Sequence, residues 1–209
     1  MEQWGEIRRQ ATVVGRITDL ASGAPIAVAQ VTVTSQQPSF RDWLALKALA
    51  HGGGWDRLAL RPDRTLSADD GRFCFIDLPD GTYTLTAAWV TRGSRYGTST
   101  GTATVARGID GTVKLATVDL ALPSTRVSGR VSAKPANGNA TETPVAMAEV
   151  WIKGGGEATF TDAQGLYVLA GVEPGQRTVR VRANGLAAAE ARVTLSGPGQ
   201  SATTNFSLS

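Results

Sequence analysis

The sequence predicts an all-β fold: two tandem antiparallel Greek-key β-sandwiches, the first with a short helical insertion. Three observations carry this. The stretch Thr65–Ala87 (TLSADDGRFCFIDLPDGTYTLTA) is written a second time as Thr159–Val181 (TFTDAQGLYVLAGVEPGQRTVRV). In each copy apolar and polar residues alternate with a period of two, the mark of a half-buried antiparallel strand. Turns of glycine, proline and aspartate recur along the chain, and helical periodicity is confined to one segment.

Ala11–Thr18 (ATVVGRIT) reads as the first strand and Ala29–Thr34 as the second; their counterparts are Arg126–Ser132 and Ala148–Lys153. In the repeated hairpin, Asp69-Asp70-Gly71 and Pro79-Asp80-Gly81 are turn sequences in which proline presets φ, aspartate bonds the backbone ahead and glycine supplies positive φ. Gly71 and Gly81 match Gly165 and Gly175, and these four are the expected turn glycines. Phe73, Phe75, Tyr83, Leu85 and Ala87 share the inward parity; Tyr167, Leu169, Val179 and Val181 repeat it. Each half closes with two strands, Thr98–Ala106 and Thr112–Leu122, then Ala189–Leu195 and Ala202–Leu208. The expected boundaries are a lead-in over 1–10, a first sandwich over 11–123 with its insertion at 35–64, and a second sandwich over 124–209.

The 209-residue chain is 42% hydrophobic and 19% charged, as expected of a globular protein. No apolar run approaches the roughly 20 residues of a membrane span. The lead-in MEQWGEIRRQ has arginines but no apolar segment behind them, so a secretory signal is not expected. That reading places the protein in the cytoplasm as synthesised, with export as part of a released particle left open. The net charge of +3 is small and scattered, which argues against nucleic acid as a partner. Cys74 is the only cysteine and lies in an apolar strand, where an inert buried thiol is expected. Asp69, Asp70 and Asp162 read as turn residues bonding their own backbone, with Ca²⁺ binding left open. The sequence offers no catalytic residue, no cofactor site and no other metal site.

Four short motifs occur twice. They are Val13-Val14-Gly15-Arg16-Ile17 with Val127-Ser128-Gly129-Arg130-Val131, Ala24-Pro25-Ile26-Ala27 with Thr143-Pro144-Val145-Ala146, the hairpin turn closing on Gly71 or Gly165 before an aromatic, and Leu78–Leu85 with its weaker echo Val172–Val179. On these motifs the chain resembles the carboxypeptidase regulatory-like family, transthyretin-type sandwiches of about seven strands that serve mainly as accessory modules. Related sandwiches host enzymes, and each implies residues that can be sought in this chain. A hydroxyisourate hydrolase implies several histidines and a C-terminal Tyr-Arg-Gly-Ser, whereas this chain has only His51 and an internal Arg92-Gly93-Ser94. Intradiol dioxygenases imply two histidines on iron. The pilin-type isopeptide implies a first-strand lysine where Arg16 and Arg130 stand, so Asn205 reads as a polar edge residue. No G-x-S-x-G accompanies His51, and the protein is read as non-enzymatic.

The insertion departs most from the family pattern. Pro25 to Pro144 is 119 positions and Gly71 to Gly165 is 94, so the first half carries 119 − 94 = 25 extra residues before its hairpin. Ser39 with Asp42 has capping-box spacing, Phe40, Trp43, Leu44 and Lys47 follow at helical spacing, and Gly52-Gly53-Gly54 ends the helix. Trp55, Leu58 and Leu60 continue the apolar content. Such a stripe covers its own sandwich or anchors another protein, and its width allows both. Candidate partner-binding residues are Phe40, Trp43, Leu44 and Trp55, with Trp151 predicted outward on a strand of the second half. The expected function is a structural, protein-interaction component docking onto a larger assembly, by analogy a phage-tail-like or contractile injection particle. A carbohydrate-binding module and a fragment of a secreted surface protein or receptor remain as alternatives.

Overall fold

The computed structural model describes residues 10–58, 61–135 and 141–209. Residues 1–9 of the expected lead-in, and Leu60, lie outside the described residues. The chain forms two compact units. The first runs to Thr91 and resumes over Thr98–Leu122; the second comprises Arg92–Gly97 and Pro123–Ser209.

In the first unit the strands are β1 (Ala11–Asp19), β2 (Gln30–Ser35), β3 (Arg64–Leu66), β4 (Arg72–Ile76), β5 (Gly81–Ala88), β6 (Ser99–Arg107), β7 (Val113–Lys114), β8 (Ala116–Thr117) and β9 (Leu120–Leu122). One sheet has the order β4-β1-β8, with β9 also on β1; the other has the order β3-β2-β5-β6-β7. The inward parity read from the repeat holds. Phe73, Phe75, Tyr83, Leu85 and Ala87 are buried, together with Val13, Ile17, Val31 and Leu120.

The second unit repeats this plan with β10 (Arg126–Ala133), β11 (Thr143–Pro144), β12 (Glu149–Ile152), β13 (Ala158–Phe160), β14 (Leu166–Ala170), β15 (Gly175–Arg182), β16 (Ala189–Leu195), β17 (Ser201–Thr203) and β18 (Phe206–Leu208). Its sheets are β13-β12-β15-β16 and a sheet centred on β10, flanked by β14 on one side and β17 and β18 on the other. Tyr167, Leu169, Val179 and Val181 fill its core. Within this unit Arg95 pairs with Glu157 and Glu173 and donates to the Gly171 carbonyl.

The expected continuous last strands are corrected. Thr112–Leu122 divides into β7, β8 and β9, and Ala202–Leu208 divides into β17 and β18. The cause is the same in both units. Val118 N–H donates to the Val14 carbonyl, and its own carbonyl is aimed at Gly15. Thr204 does likewise with Ser128 and Gly129. A Cβ at Gly15 or Gly129 would lie 1.8 Å from that carbonyl oxygen, so only glycine fits. The next residue then supplies an acceptor that the ladder lost: Asp119 Oδ1 takes the Arg16 N–H at 2.8 Å, and Asn205 Oδ1 takes the Arg130 N–H at 2.9 Å. Asn205 is thus an exposed polar residue on the outer segment that flanks β10, as expected, and its side chain also stands in for a ladder acceptor. The four turn glycines Gly71, Gly81, Gly165 and Gly175 all have positive φ.

Two predictions follow from these contacts. Gly129→Ala is expected to lower unfolding free energy by about 2–3 kcal/mol, measured by denaturant titration, because neither backbone can withdraw. The second concerns pH. Hydroxyl hydrogen bonds from Ser132, then Ser207, hold the Glu142 carboxyl below its ordinary value. A depressed folded-state pKa gives stability that is present above the unfolded pKa and lost as pH falls through the folded one. Glu142→Gln should therefore flatten the fall in unfolding midpoint between neutral pH and about pH 3.

Candidate functional site

Helix α1 (Pro38–His51) is the main feature of the insertion and one wall of the groove described below. Its start differs from the expected capping box. Gln37 is the N-cap, no side chain caps the helix, and Pro38 occupies the first turn with Ser39 already helical. Proline's fixed φ suits that position and needs no N–H, so it sets the boundary one residue ahead of the serine. Gly52 ends the helix, and Gly52–Arg57 continues as a 3₁₀ turn.

The candidate residues separate by environment. Phe40 is 3% exposed and Leu44 8%, so both belong to the core of the first unit rather than to a free surface. Phe40 meets the Tyr83 ring edge-on at 5.7 Å between centroids. Tyr83 in turn donates its hydroxyl to the Pro79 carbonyl, and burial raises its pKa, with Arg107 opposing and Asp80 assisting. Trp43 is 41% exposed, stacks on Phe40 at 5.7 Å and carries the Lys47 ammonium 5.5 Å from its ring. Leu46 and Leu49 point outward from the same helix. Trp55 is half-buried, with the Arg61 guanidinium over its ring at 4.9 Å and His51 beside it at 5.6 Å. Trp151 belongs to the second unit, half-buried with the Arg180 and Arg182 guanidiniums each 5.7 Å from its ring.

Phe40 and Trp43 form one wall of a groove of about 720 Å³. The opposite wall is β4 and the chain that follows it, Cys74 through Pro79, with Arg61 and Arg64 at the rim. Sequence reasoning missed this wall. The hairpin's strong turn signals point to a structural role, and nothing in a strand's own residues shows which of its edges is left open. Cys74 is half-buried, not fully buried as expected, and lines the groove. Burial pushes its thiol pKa up, so the thiol is protonated at neutral pH. Asp70 and Asp162 bond the backbone N–H groups ahead of them, as their turns require. Among the described residues, no group of three or more His, Cys, Asp or Glu side chains is placed to hold a metal ion, and no helix is long and apolar enough to cross a membrane.

The family model for the carboxypeptidase regulatory-like domain matches residues 12–121 and again 126–209. A comparison with curated proteins found no match. Among solved structures, the Bacillus anthracis TIE protein aligns at 13% identity and a TM-score of 0.33, covering 95% of this chain. This chain spans 34% of the length of that one. The minor pilin GBS52 of Streptococcus agalactiae aligns at 14% identity and 0.32, covering 95% of each chain. The shaft pilin SpaA of Lactobacillus rhamnosus GG aligns at 14% identity and 0.37, covering 96% of this chain and 98% of its own.

The division between Phe40 and Trp43 is measurable. Phe40→Ala should cost about 3–4 kcal/mol of stability and Trp43→Ala less than half of that, by denaturant unfolding. Alkylation of Cys74 by iodoacetamide should show a pH midpoint above that of a free cysteine; a midpoint below it would contradict the burial of the thiol.

Proposed function

Because the chain belongs to the carboxypeptidase regulatory-like domain family in both halves, we propose that it is a non-catalytic structural and interaction component that docks onto a larger protein assembly through the groove beside α1. The observation that carries this reading is the groove itself. Its helical wall is fixed by the burial of Phe40 and Leu44, while Trp43 in the same wall stays 41% exposed, and Leu46 and Leu49 are exposed on the same helix. A held aromatic beside a concave apolar surface is the usual form of a binding hot spot. The phage-tail-like or contractile injection particle remains the analogy for the assembly. A protein partner is favoured over carbohydrate because Trp151 shares its ring with two guanidiniums and offers no planar aromatic pair.

Site-specific photocrosslinking tests this. A benzoylphenylalanine placed at Trp43 or Leu49 in cells at native expression should form an adduct with one and the same protein, and none when placed at Leu166. No adduct at either position on α1, or adducts at Leu166 alone, would move the docking site away from the insertion.

A further inference from the structure

We propose that the groove takes an extended peptide strand, which adds to the free edge of β4 by main-chain hydrogen bonds and presents a carboxylate to Arg64; this rests on the docking reading above. The parity of the ladder identifies the free edge. Ile17 N–H donates to the Gly71 carbonyl at 2.8 Å, and the register sets Gly15 opposite Phe73 and Val13 opposite Phe75. Bonded pairs in an antiparallel ladder fall on every second residue. Phe73 and Phe75 therefore bond to β1, while Arg72, Cys74 and Ile76 turn their N–H and C=O groups away from it. The far side of β1 obeys the same parity, where the Val14 carbonyl and the Arg16 N–H serve Val118 and Asp119.

Arg72 already uses both of its outward groups, the N–H on Asp70 Oδ1 and the carbonyl on the Ala68 N–H. Cys74 and Ile76 do not. Among the described residues their outward main-chain groups have no partner, and β4 pairs with no strand but β1. Cys74, Phe75 and Ile76 all line the groove, so the open edge runs along it. Main-chain donors and acceptors beside an apolar wall ask for one kind of ligand. An extended backbone satisfies them, and its side chains meet the exposed apolar residues of the lining, Trp43 and Ile76.

Charge sets a second requirement. At the rim, Arg61 is neutralised by Asp56 and Asp63. Arg64 instead donates to the Asp56 and Leu58 carbonyls, and among the described residues it has no carboxylate partner. A strand with one acidic residue at that end would supply it.

The test uses the full chain and fluorescein-labelled hexapeptides of alternating valine and threonine in which a single glutamate is moved along the sequence. Fluorescence polarisation should show saturable binding that depends on the glutamate position, and bound peptide should slow alkylation of Cys74. N-methylation of the amides that face β4 should weaken binding about tenfold or more, while N-methylation of the alternate amides leaves it unchanged. Arg64→Gln should remove the preference for glutamate over glutamine. Trp43→Ala, checked for retained fold by circular dichroism, should weaken all peptides about tenfold. Binding that ignores which amides are methylated would mean apolar docking without strand addition and would overturn the proposal. So would an absence of peptide binding while the crosslinked protein still binds, an outcome that leaves the docking reading intact. Binding that appears only after removal of residues 1–9, or sedimentation showing a dimer lost on Trp43→Ala, would assign the groove to the chain itself and equally overturn it.

Discussion

In each unit a carbonyl of the last strand is aimed at the α-carbon of the first, and glycine alone admits it. Much of the architecture depends on that approach. At Gly15 and Gly129 the last strand breaks, shifts and resumes, so the first strand pairs with two short segments on one side and with the hairpin on the other. The shift would orphan a main-chain N–H in the middle of a sheet, and a side-chain oxygen one residue on, from Asp119 or Asn205, replaces the missing acceptor. The arrangement is internally consistent: V-x-G-R on the first strand and an Asp or Asn on the last are two parts of one contact.

This contact also explains what was legible in the sequence. Local alternation and turn chemistry are written in consecutive residues, so the hairpin, its inward phenylalanines and tyrosines, and the turn glycines could be read directly. Arg16 and Asp119 are 103 positions apart, and no local pattern signals that they meet. The break in the last strand was invisible for that reason. The start of α1 was misread on a smaller scale, because a serine with a matching acid competed with a proline just before it, and the proline's fixed φ decided the boundary.

Comparison of the two hairpins shows what the helix does for the fold. Tyr83 and Arg177 occupy equivalent places, each 2 positions after the matched glycine (83 − 81 and 177 − 175). Both reach back to the carbonyl four residues earlier, Tyr83 to Pro79 and Arg177 to Glu173. Arg177 stays half-buried and keeps its charge within reach of Glu173. Tyr83 is fully buried, with Phe40 against its ring. The helix is thus part of the first core. The sequence registered it as 25 extra residues and could not assign its two faces, because Phe40 and Trp43 are both aromatic and only packing separates them.

The separation of those two residues bears on function. An edge strand with open main-chain groups is an ordinary consequence of the sandwich, and among the described residues β14 has an open side just as β4 does. What distinguishes β4 is the wall opposite it. Trp43 stacks on Phe40, so its position follows from the burial of Phe40 rather than from a loop free to move. An aromatic held in that way loses little further freedom when a ligand arrives, which is the condition under which buried apolar area converts most fully into affinity. The insertion therefore adds to a generic fold one fixed wall, placed beside one of its open edges. A copy of the same sandwich that makes this crossover without the helix keeps the edge and lacks the wall.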